Sequence, residues 1–197
     1  MLKKILSFVS IALLAGPMVV TPASASIMTV DFEAFSDTQN INGINLGGVT
    51  LTSTGGVIEI FSNGRLGASY HSPVNSFSTP DGTGTITGVF DAPTDFVSLY
   101  AGDVGGDTDS WTLEVFDAGG NSLGSLLSGN YSGDPYLQLA ISASNIFRFA
   151  ATFTGPDAGI AYDDLSFRVD TVPEPATFAL LGLGLLGLVA SRRIKRA

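Results

Sequence analysis

The sequence contains no cysteine, and among its 197 residues there is only one histidine. Without cysteine, the chain can form neither a disulfide framework nor a thiolate metal site. The single histidine, His71, excludes a histidine-based zinc centre, which needs several nitrogen or sulfur ligands. A serine–histidine–aspartate triad would have to use His71, and no nucleophile-elbow glycine pattern with a serine accompanies it. We therefore predict that the chain is not an enzyme and has no catalytic residues.

Basic residues are scarce, and most of them lie at the two ends. Of the nine, two are at positions 3 and 4 and four are within 192–196, so that only Arg65, Arg148 and Arg168 lie between them. All 18 acidic residues lie between positions 31 and 174. Such an acidic surface repels phosphate groups, which excludes nucleic acid as a partner. It suits solubility or the binding of divalent cations.

Residues 1–25 follow the order of a secretory signal peptide. Lys3 and Lys4 form a positive start, positions 5–20 are largely apolar, and Ala23-Ser24-Ala25 offers a small-x-small cleavage pattern. We predict a signal helix that engages the Sec translocon and is cut by signal peptidase after Ala25. The alternative is an uncleaved anchor helix. The short apolar stretch, its interruption by Pro17 and the cleavage pattern that follows it all favour removal.

Residues 171–197 have the features of a membrane-inserted tail. Pro173 and Pro175 keep the start of this segment extended, because each proline fixes its own φ and restricts the residue before it. An uncharged, largely apolar run follows and predicts a transmembrane helix at about 176–191. The basic cluster at 192–196 is a stop-transfer signal that stays in the cytoplasm. Fifteen apolar residues reach roughly 22 Å, less than the ~30 Å of a bilayer core, which favours a processed tail over a permanent anchor.

The tail also resembles a known sorting signal. Pro173-Glu174-Pro175, the Leu- and Gly-rich helix and the Arg192-Arg193 pair occur in the same order as in the PEP-CTERM protein-sorting domain. The resemblance implies recognition by an exosortase, a membrane-embedded cysteine transpeptidase, in a Gram-negative host that makes exopolysaccharide. It implies export, transient anchoring in the inner membrane, and delivery to the cell surface or extracellular matrix. The alternative is an ordinary tail anchor.

One motif in the tail is misleading. Residues 182–187 match the G-x-G-x-x-G pattern of dinucleotide-binding folds letter by letter. That fingerprint needs a strand before it, an amphipathic helix after it and an acidic residue about 20 positions further on. Here it lies inside an apolar run near the end of the sequence, so we reject cofactor binding.

Residues 26–170 predict an all-β domain. No stretch has a convincing helical period of apolar residues, whereas short β-branched or aromatic runs alternate with Gly, Asn, Asp and Pro. Residues 117–121 are a strong hairpin turn, since their glycines accept positive φ. The predicted strands are Met28–Phe35, Val49–Ser53, Val57–Phe61, Thr85–Phe90, Phe96–Ala101, Trp111–Phe116, Ser122–Leu126, Leu137–Ile141, Ile146–Phe153 and Ile160–Val169.

Several of these strands have one apolar and one polar face. Trp111, Leu113 and Val115, for example, alternate with Thr112 and Glu114. This alternation is typical of an antiparallel β-sandwich, and we predict a jelly-roll-like one. The stretches 92–99, 111–121 and 160–167 are similar to jelly-roll domains of the carbohydrate-binding or lectin-like type. That similarity implies the same fold and makes polysaccharide a partner to expect.

Acidic residues at two places predict a calcium site, because calcium prefers several carboxylate and carbonyl oxygens. If the first and last strands pair, Asp31 and Glu33 would meet Asp163 and Asp164. Four such carboxylates repel one another strongly unless a cation lies between them. The alternative place is the glycine-rich loop that contains Asp103, Asp107 and Asp109. Otherwise these residues are solvated turn residues, favoured by local hydrogen bonding.

Aromatic residues near strand ends suggest how the domain binds a glycan, since sugar rings stack on exposed aromatic side chains. The residues concerned are Tyr70, His71, Tyr100, Tyr131 and Tyr136. Alternatively, each tyrosine caps the core with its ring and keeps its hydroxyl in water. We predict a structural or carbohydrate-binding protein of the cell surface or exopolysaccharide matrix. The alternative function is a polysaccharide-active hydrolase, which would need two carboxylates facing each other in a groove.

Overall fold

The computed structural model describes residues 25–62, 71–103, 108–130, 136–155 and 159–170, and its residues Ser24–Thr171 form one compact unit. Within the described ranges the regular elements are nine strands. They are β1 (Ala25–Val30), β2 (Val49–Ser53), β3 (Glu59–Ser62), β4 (Asn75–Ser78), β5 (Thr85–Asp103), β6 (Trp111–Phe116), β7 (Ser122–Leu127), β8 (Leu137–Phe153) and β9 (Ile160–Asp170). None of the residues in these ranges belongs to a helix able to cross a membrane. The predicted signal and transmembrane helices lie outside them.

All strand pairings among the described residues are antiparallel. The strands form two sheets, and the two long strands, β5 and β8, take part in both. The first sheet has the order β2-β5-β8-β6-β7 and uses the first half of β5 with the second half of β8. The second sheet contains the other halves of these strands, with β9 beside β5. On its far edge β9 pairs with β1 and β4, and β3 pairs with β4. The all-β antiparallel prediction is confirmed.

The two long strands pass from one sheet to the other through irregular pairing. The β5–β8 register shifts between Val89 and Phe96, and Asn145 in β8 has a positive φ of 61°. Such bulges bend a strand without ending its hydrogen bonding. The predicted strand bounds place a break at each bend, between Phe90 and Phe96 and between Ile141 and Ile146. The prediction of separate strands was wrong here, since each pair of predicted strands is one bent strand.

The core lies between the inward faces of the two sheets. Phe90 of the first sheet lies between Phe149, at 5.8 Å between ring centroids, and Phe167 of the second sheet, at 5.2 Å. Trp111 meets Tyr162 edge to face at 5.6 Å across the same core. These ring contacts between sheets make the domain a sandwich, with side chains from both inner faces interdigitating.

Two local predictions needed correction. The first strand ends at Val30 rather than Phe35, because Phe32 adopts a φ of 61° that a strand does not allow. Strand β4 was missed because three of its four residues are polar, although all four are buried. They are buried because their polar groups have partners: the Asn75 amide, for example, donates to the carbonyl oxygens of Phe32 and Phe35.

Candidate functional site

The first and last strands pair, as the calcium hypothesis required. In the β1–β9 register, Val30 lies opposite Leu165. Asp31 and Glu33 follow β1 directly, and Asp163 and Asp164 lie in β9 just before Leu165. The topology therefore brings all four predicted carboxylates to one end of this strand pair.

A third segment, residues 71–75, joins two of these carboxylates. The Ser72 hydroxyl is 3.0 Å from Glu33 Oε1 and 3.0 Å from each carboxylate oxygen of Asp163. The Ser72 backbone N–H donates to Asp163 Oδ2 at 2.8 Å, and the backbone N–H groups of Val74 and Asn75 donate to Glu33 Oε1. The two carboxylates hold the segment from both sides. We call Glu33, Ser72, Asn75 and Asp163 the Ser72 network.

The other two predicted ligands have different partners. Asp31 Oδ1 accepts a hydrogen bond from the Glu33 backbone N–H, as in an Asx turn. Asp164 Oδ2 lies 2.6 Å from His71 Nδ1, and the His71 ring stacks on Tyr100 with 3.6 Å between centroids. Among the described residues, no three histidine, aspartate or glutamate side chains are grouped so as to hold a metal ion. Calcium at this place stays a prediction.

Asp163 has an unusual electrostatic environment. Its side chain is completely buried, and this burial raises the pKa of Asp163 to about 6, with the neighbouring charge of Asp164 adding to the shift. Hydrogen bonds from Ser72 and from the Asp164 backbone N–H act in the opposite direction. For Glu33, partial burial favours the neutral form, but the N–H groups of Asn75 and Val74 and the Ser72 hydroxyl outweigh it and lower the pKa.

We expect Asp163 to make the domain less stable as the pH rises. Its pKa is higher in the folded chain than the value of 3.8 for a free side chain, so the folded state binds more protons between these two values. Its contribution is complete below pH 4 and is lost as the pH rises through about 6. The loss amounts to about 3 kcal/mol. Urea unfolding at several pH values between 4 and 7 should show this loss in the native chain and not in Asp163→Asn.

Asp117→Asn is the matched control for this pH series. Asp117 is a partly exposed hairpin carboxylate whose pKa is lowered by hydrogen bonds from Asn121, so its titration affects only the acid end of the range. Its pH profile should therefore parallel that of the native chain above pH 4. If Asp163→Asn followed the native profile as well, the burial of an ionisable Asp163 would be contradicted.

The alternative acidic loop is described only in part. Asp107 lies outside the described residues, and Asp103 is the last residue of β5. Asp109 is buried, and its carboxylate lies so close to Gly155 that a β-carbon there would approach Asp109 Oδ1 to 2.1 Å. A calcium ion in this loop stays a prediction.

The aromatic residues divide into two groups. His71 is exposed and Tyr100 is half-buried, so their stacked rings reach the surface. Tyr136 is buried, with its ring against Gly102 where a β-carbon would come within 2.3 Å of it. Tyr136 therefore caps the fold instead of binding a ligand. Tyr70 and Tyr131 lie outside the described residues.

The carboxylates of the Ser72 network are arranged for structure and not for hydrolysis. A carboxylate pair that cleaves a glycosidic bond must reach the substrate from both sides. Glu33 and Asp163 both bind one serine hydroxyl, and Asp163 has no exposed surface. His71 has an orienting aspartate, as in a catalytic triad, but the neighbouring Ser72 hydroxyl is directed to carboxylates.

Comparison with known proteins agrees with these features. The strand pairing makes the described residues between positions 25 and 170 an all-β antiparallel sandwich. After these residues in the sequence, the chain carries a PEP-CTERM protein-sorting motif at residues 171–193, which confirms the resemblance found in the sequence. The motif contains Pro173, Glu174, Pro175, Arg192 and Arg193. It marks an exported protein.

The chain has no significant match among curated proteins. Among solved structures it is similar to the K2 cleaved adhesin domain of Lys-gingipain, with 14% identity over 72% of this chain and 99% of that one, at a TM-score of 0.49. The xylan-binding domain from CBM 22 is 11% identical over 69% and 97% of the two chains, at a TM-score of 0.40. A family 29 carbohydrate-binding module is 14% identical over 77% and 99%, at a TM-score of 0.35.

Proposed function

We propose that this chain is a structural or carbohydrate-binding protein that an exosortase delivers to the cell surface or exopolysaccharide matrix. The Sec translocon exports it and signal peptidase removes residues 1–25. The tail then holds it transiently in the inner membrane until processing. The observation that carries this proposal is the sorting motif at 171–193, which follows a β-sandwich domain in the sequence.

The burial and hydrogen bonding of the acidic residues favour a binding or structural role over catalysis. The best-placed carboxylate pair, Glu33 and Asp163, is occupied in holding residues 71–75, and Asp163 is fully buried. By contrast, the stacked rings of His71 and Tyr100 reach the surface. Surface aromatics with adjacent polar groups suit a ligand that binds without being cleaved.

The export route predicts the mass of the mature protein. In a host with an exosortase, the chain recovered from the cell surface or medium should lack residues 1–25 and the apolar tail. Intact-mass spectrometry after cell fractionation measures both ends in one experiment. The control is the same host without its exosortase, where the N-terminus is still cut and the tail remains. Recovery of surface protein with both ends intact would contradict the proposed route.

A further inference from the structure

The outer face of the second sheet carries a row of small side chains across four neighbouring strands. The register places Ala140 beside Ser98, Ser98 beside Ser166, and Ser166 beside Thr29. Ala140 and Thr29 are exposed, and the Thr29 hydroxyl is 2.8 Å from that of Ser166. Three interstrand spacings of ~4.8 Å make this row about 14 Å long.

Larger side chains flank this row on the same face. Alternate residues of a strand share a face, and Val97 and Leu99 point into the core, so Phe96, Ser98 and Tyr100 point outward. The stacked rings of Tyr100 and His71 lie on one side of the row of small side chains. Gln138, opposite Tyr100 in the register, donates a hydrogen bond to Ser98 and narrows the floor at that point.

The opposite flank combines an aromatic ring with a cation. The Arg168 guanidinium carbon lies 5.7 Å from the centroid of Phe96, and its Nη1 donates to Asp95 Oδ2 at 2.7 Å. The floor and these flanks form a shallow trough, which we call the Ser166 groove. Its accessible floor is Thr29, Ala140 and Ser166, with Ser98 buried in the same row, and its flanks are His71 with Tyr100 and Phe96 with Arg168.

A polar cleft extends the Ser166 groove on the Arg168 side. It has a volume of about 210 Å³ and lies at the bends of β5 and β8, where it is lined by Pro93, Thr94, Asp95, Ser144, Asn145 and Arg168. This volume is below the ~300–1,000 Å³ of pockets that enclose a small molecule. The cleft therefore suits one unit at the end of a longer ligand that lies along the open face.

We propose that the Ser166 groove binds a neutral polysaccharide chain. The Thr29 and Ser166 hydroxyls and the exposed Gln138 amide match the donors and acceptors of sugar hydroxyls. Aromatic rings on both flanks can stack on the apolar faces of sugar rings. An anionic chain is disfavoured because Arg168 is paired with Asp95, while Asp164 lies beside His71 on the other flank. This inference rests on the proposed function and adds the site and the ligand class.

Affinity electrophoresis of the full-length chain tests the groove. The native gels contain xylan, glucomannan or mixed-linkage β-glucan as neutral probes, and polygalacturonate as the anionic comparison. We expect at least one neutral polysaccharide to retard the native chain, and polygalacturonate to leave it unretarded. Tyr100→Ala and Phe96→Ala should each weaken the neutral interaction by about tenfold, as expected when an aromatic anchor is truncated.

Two further variants make the test specific. Ala140→Trp removes no contact of the fold but fills the floor of the groove, so it should abolish retardation while leaving the thermal midpoint unchanged. Phe116→Ala is the matched control, because Phe116 is a half-buried ring with the Arg148 guanidinium 4.1 Å from its centroid, on the outer face of the other sheet. It should bind like the native chain.

The outcomes separate the site from the function. If the native chain is retarded by a neutral polysaccharide and both Tyr100→Ala and Ala140→Trp are retarded equally, the Ser166 groove is overturned and carbohydrate binding stands. If neither a neutral polysaccharide nor polygalacturonate retards the native chain, the carbohydrate-binding role and the groove both fail. Retardation by polygalacturonate alone would overturn the assignment of a neutral ligand.

Discussion

Replacing Pro173, Glu174 and Pro175 together with alanine should leave the protein in the inner membrane with its tail uncut. The motif at 171–193 is the part of the chain that the exosortase would recognise, and its two prolines restrict the backbone to conformations other than a helix. Alanine favours helix, so the substitutions would allow a helical conformation at this site. Immunoblots of membrane, surface and medium fractions should show the longer species in the membrane and none outside.

The double variant Gly182→Ala and Gly187→Ala is the control for this experiment. It changes residues inside the same motif and destroys the G-x-G-x-x-G coincidence, but it keeps the tail apolar and the Pro-Glu-Pro segment intact. It should be sorted normally. Normal processing and delivery of the triple-alanine chain would contradict recognition through Pro-Glu-Pro.

Removing the ring of Trp111 should cause a large loss of stability. Trp111 is 1% exposed, belongs to the central core cluster and meets Tyr162 of the opposite sheet at 5.6 Å. Truncating a buried tryptophan to alanine leaves a cavity and costs about 3–5 kcal/mol. Urea unfolding of Trp111→Ala, followed by circular dichroism, should show this reduction in the free energy of unfolding.

Trp111→Phe separates packing from hydrogen bonding at this position. Among the described residues, the buried Trp111 Nε1 has no hydrogen-bond partner. Phenylalanine keeps much of the ring volume and removes that polar group, so it should recover more than half of the stability lost in Trp111→Ala. An equal loss in both variants would contradict ring packing as the main contribution of Trp111 to stability.

The sequence was informative where apolar and polar residues alternate strictly. The predicted bounds of β2 and β6 match the structure, and the inward direction of Trp111, Leu113 and Val115 is confirmed. In these strands one face is buried and one is in water, so apolar and polar residues alternate with a period of two. The hairpin at 117–121 was equally visible, since its turn conformation depends on Gly120 with a φ of 82°.

The bends of β5 and β8 could not be predicted because they depend on partners distant in sequence. A stretch such as Asp91-Ala92-Pro93 has turn composition whether a strand ends there or merely changes sheets. The difference is decided by the pairing of Thr94 with Ile146 in β8, a contact between residues far apart along the chain. The local composition therefore cannot predict that contact.

The candidate site was predicted in part. The sequence identified the carboxylates of Glu33 and Asp163, and the pairing of the terminal strands did bring them together. It did not identify Ser72 and Asn75, since a serine and an asparagine beside Pro73 have the composition of an ordinary turn. Only the folded chain reveals that Ser72 binds two carboxylates, and that this segment occupies the space between them.

The pairing of β1 with β9 has a mechanical consequence. Ala25 lies opposite Asp170 in the register, so both ends of the sandwich emerge at the same corner. A pull transmitted from beyond Asp170 would load β9 along its own axis, and β9 is hydrogen-bonded on one edge to β5 and on the other to β1. Extraction of β9 would require two ladders to shear at the same moment, so a domain tethered through β9 should withstand tension better than one held by an edge strand.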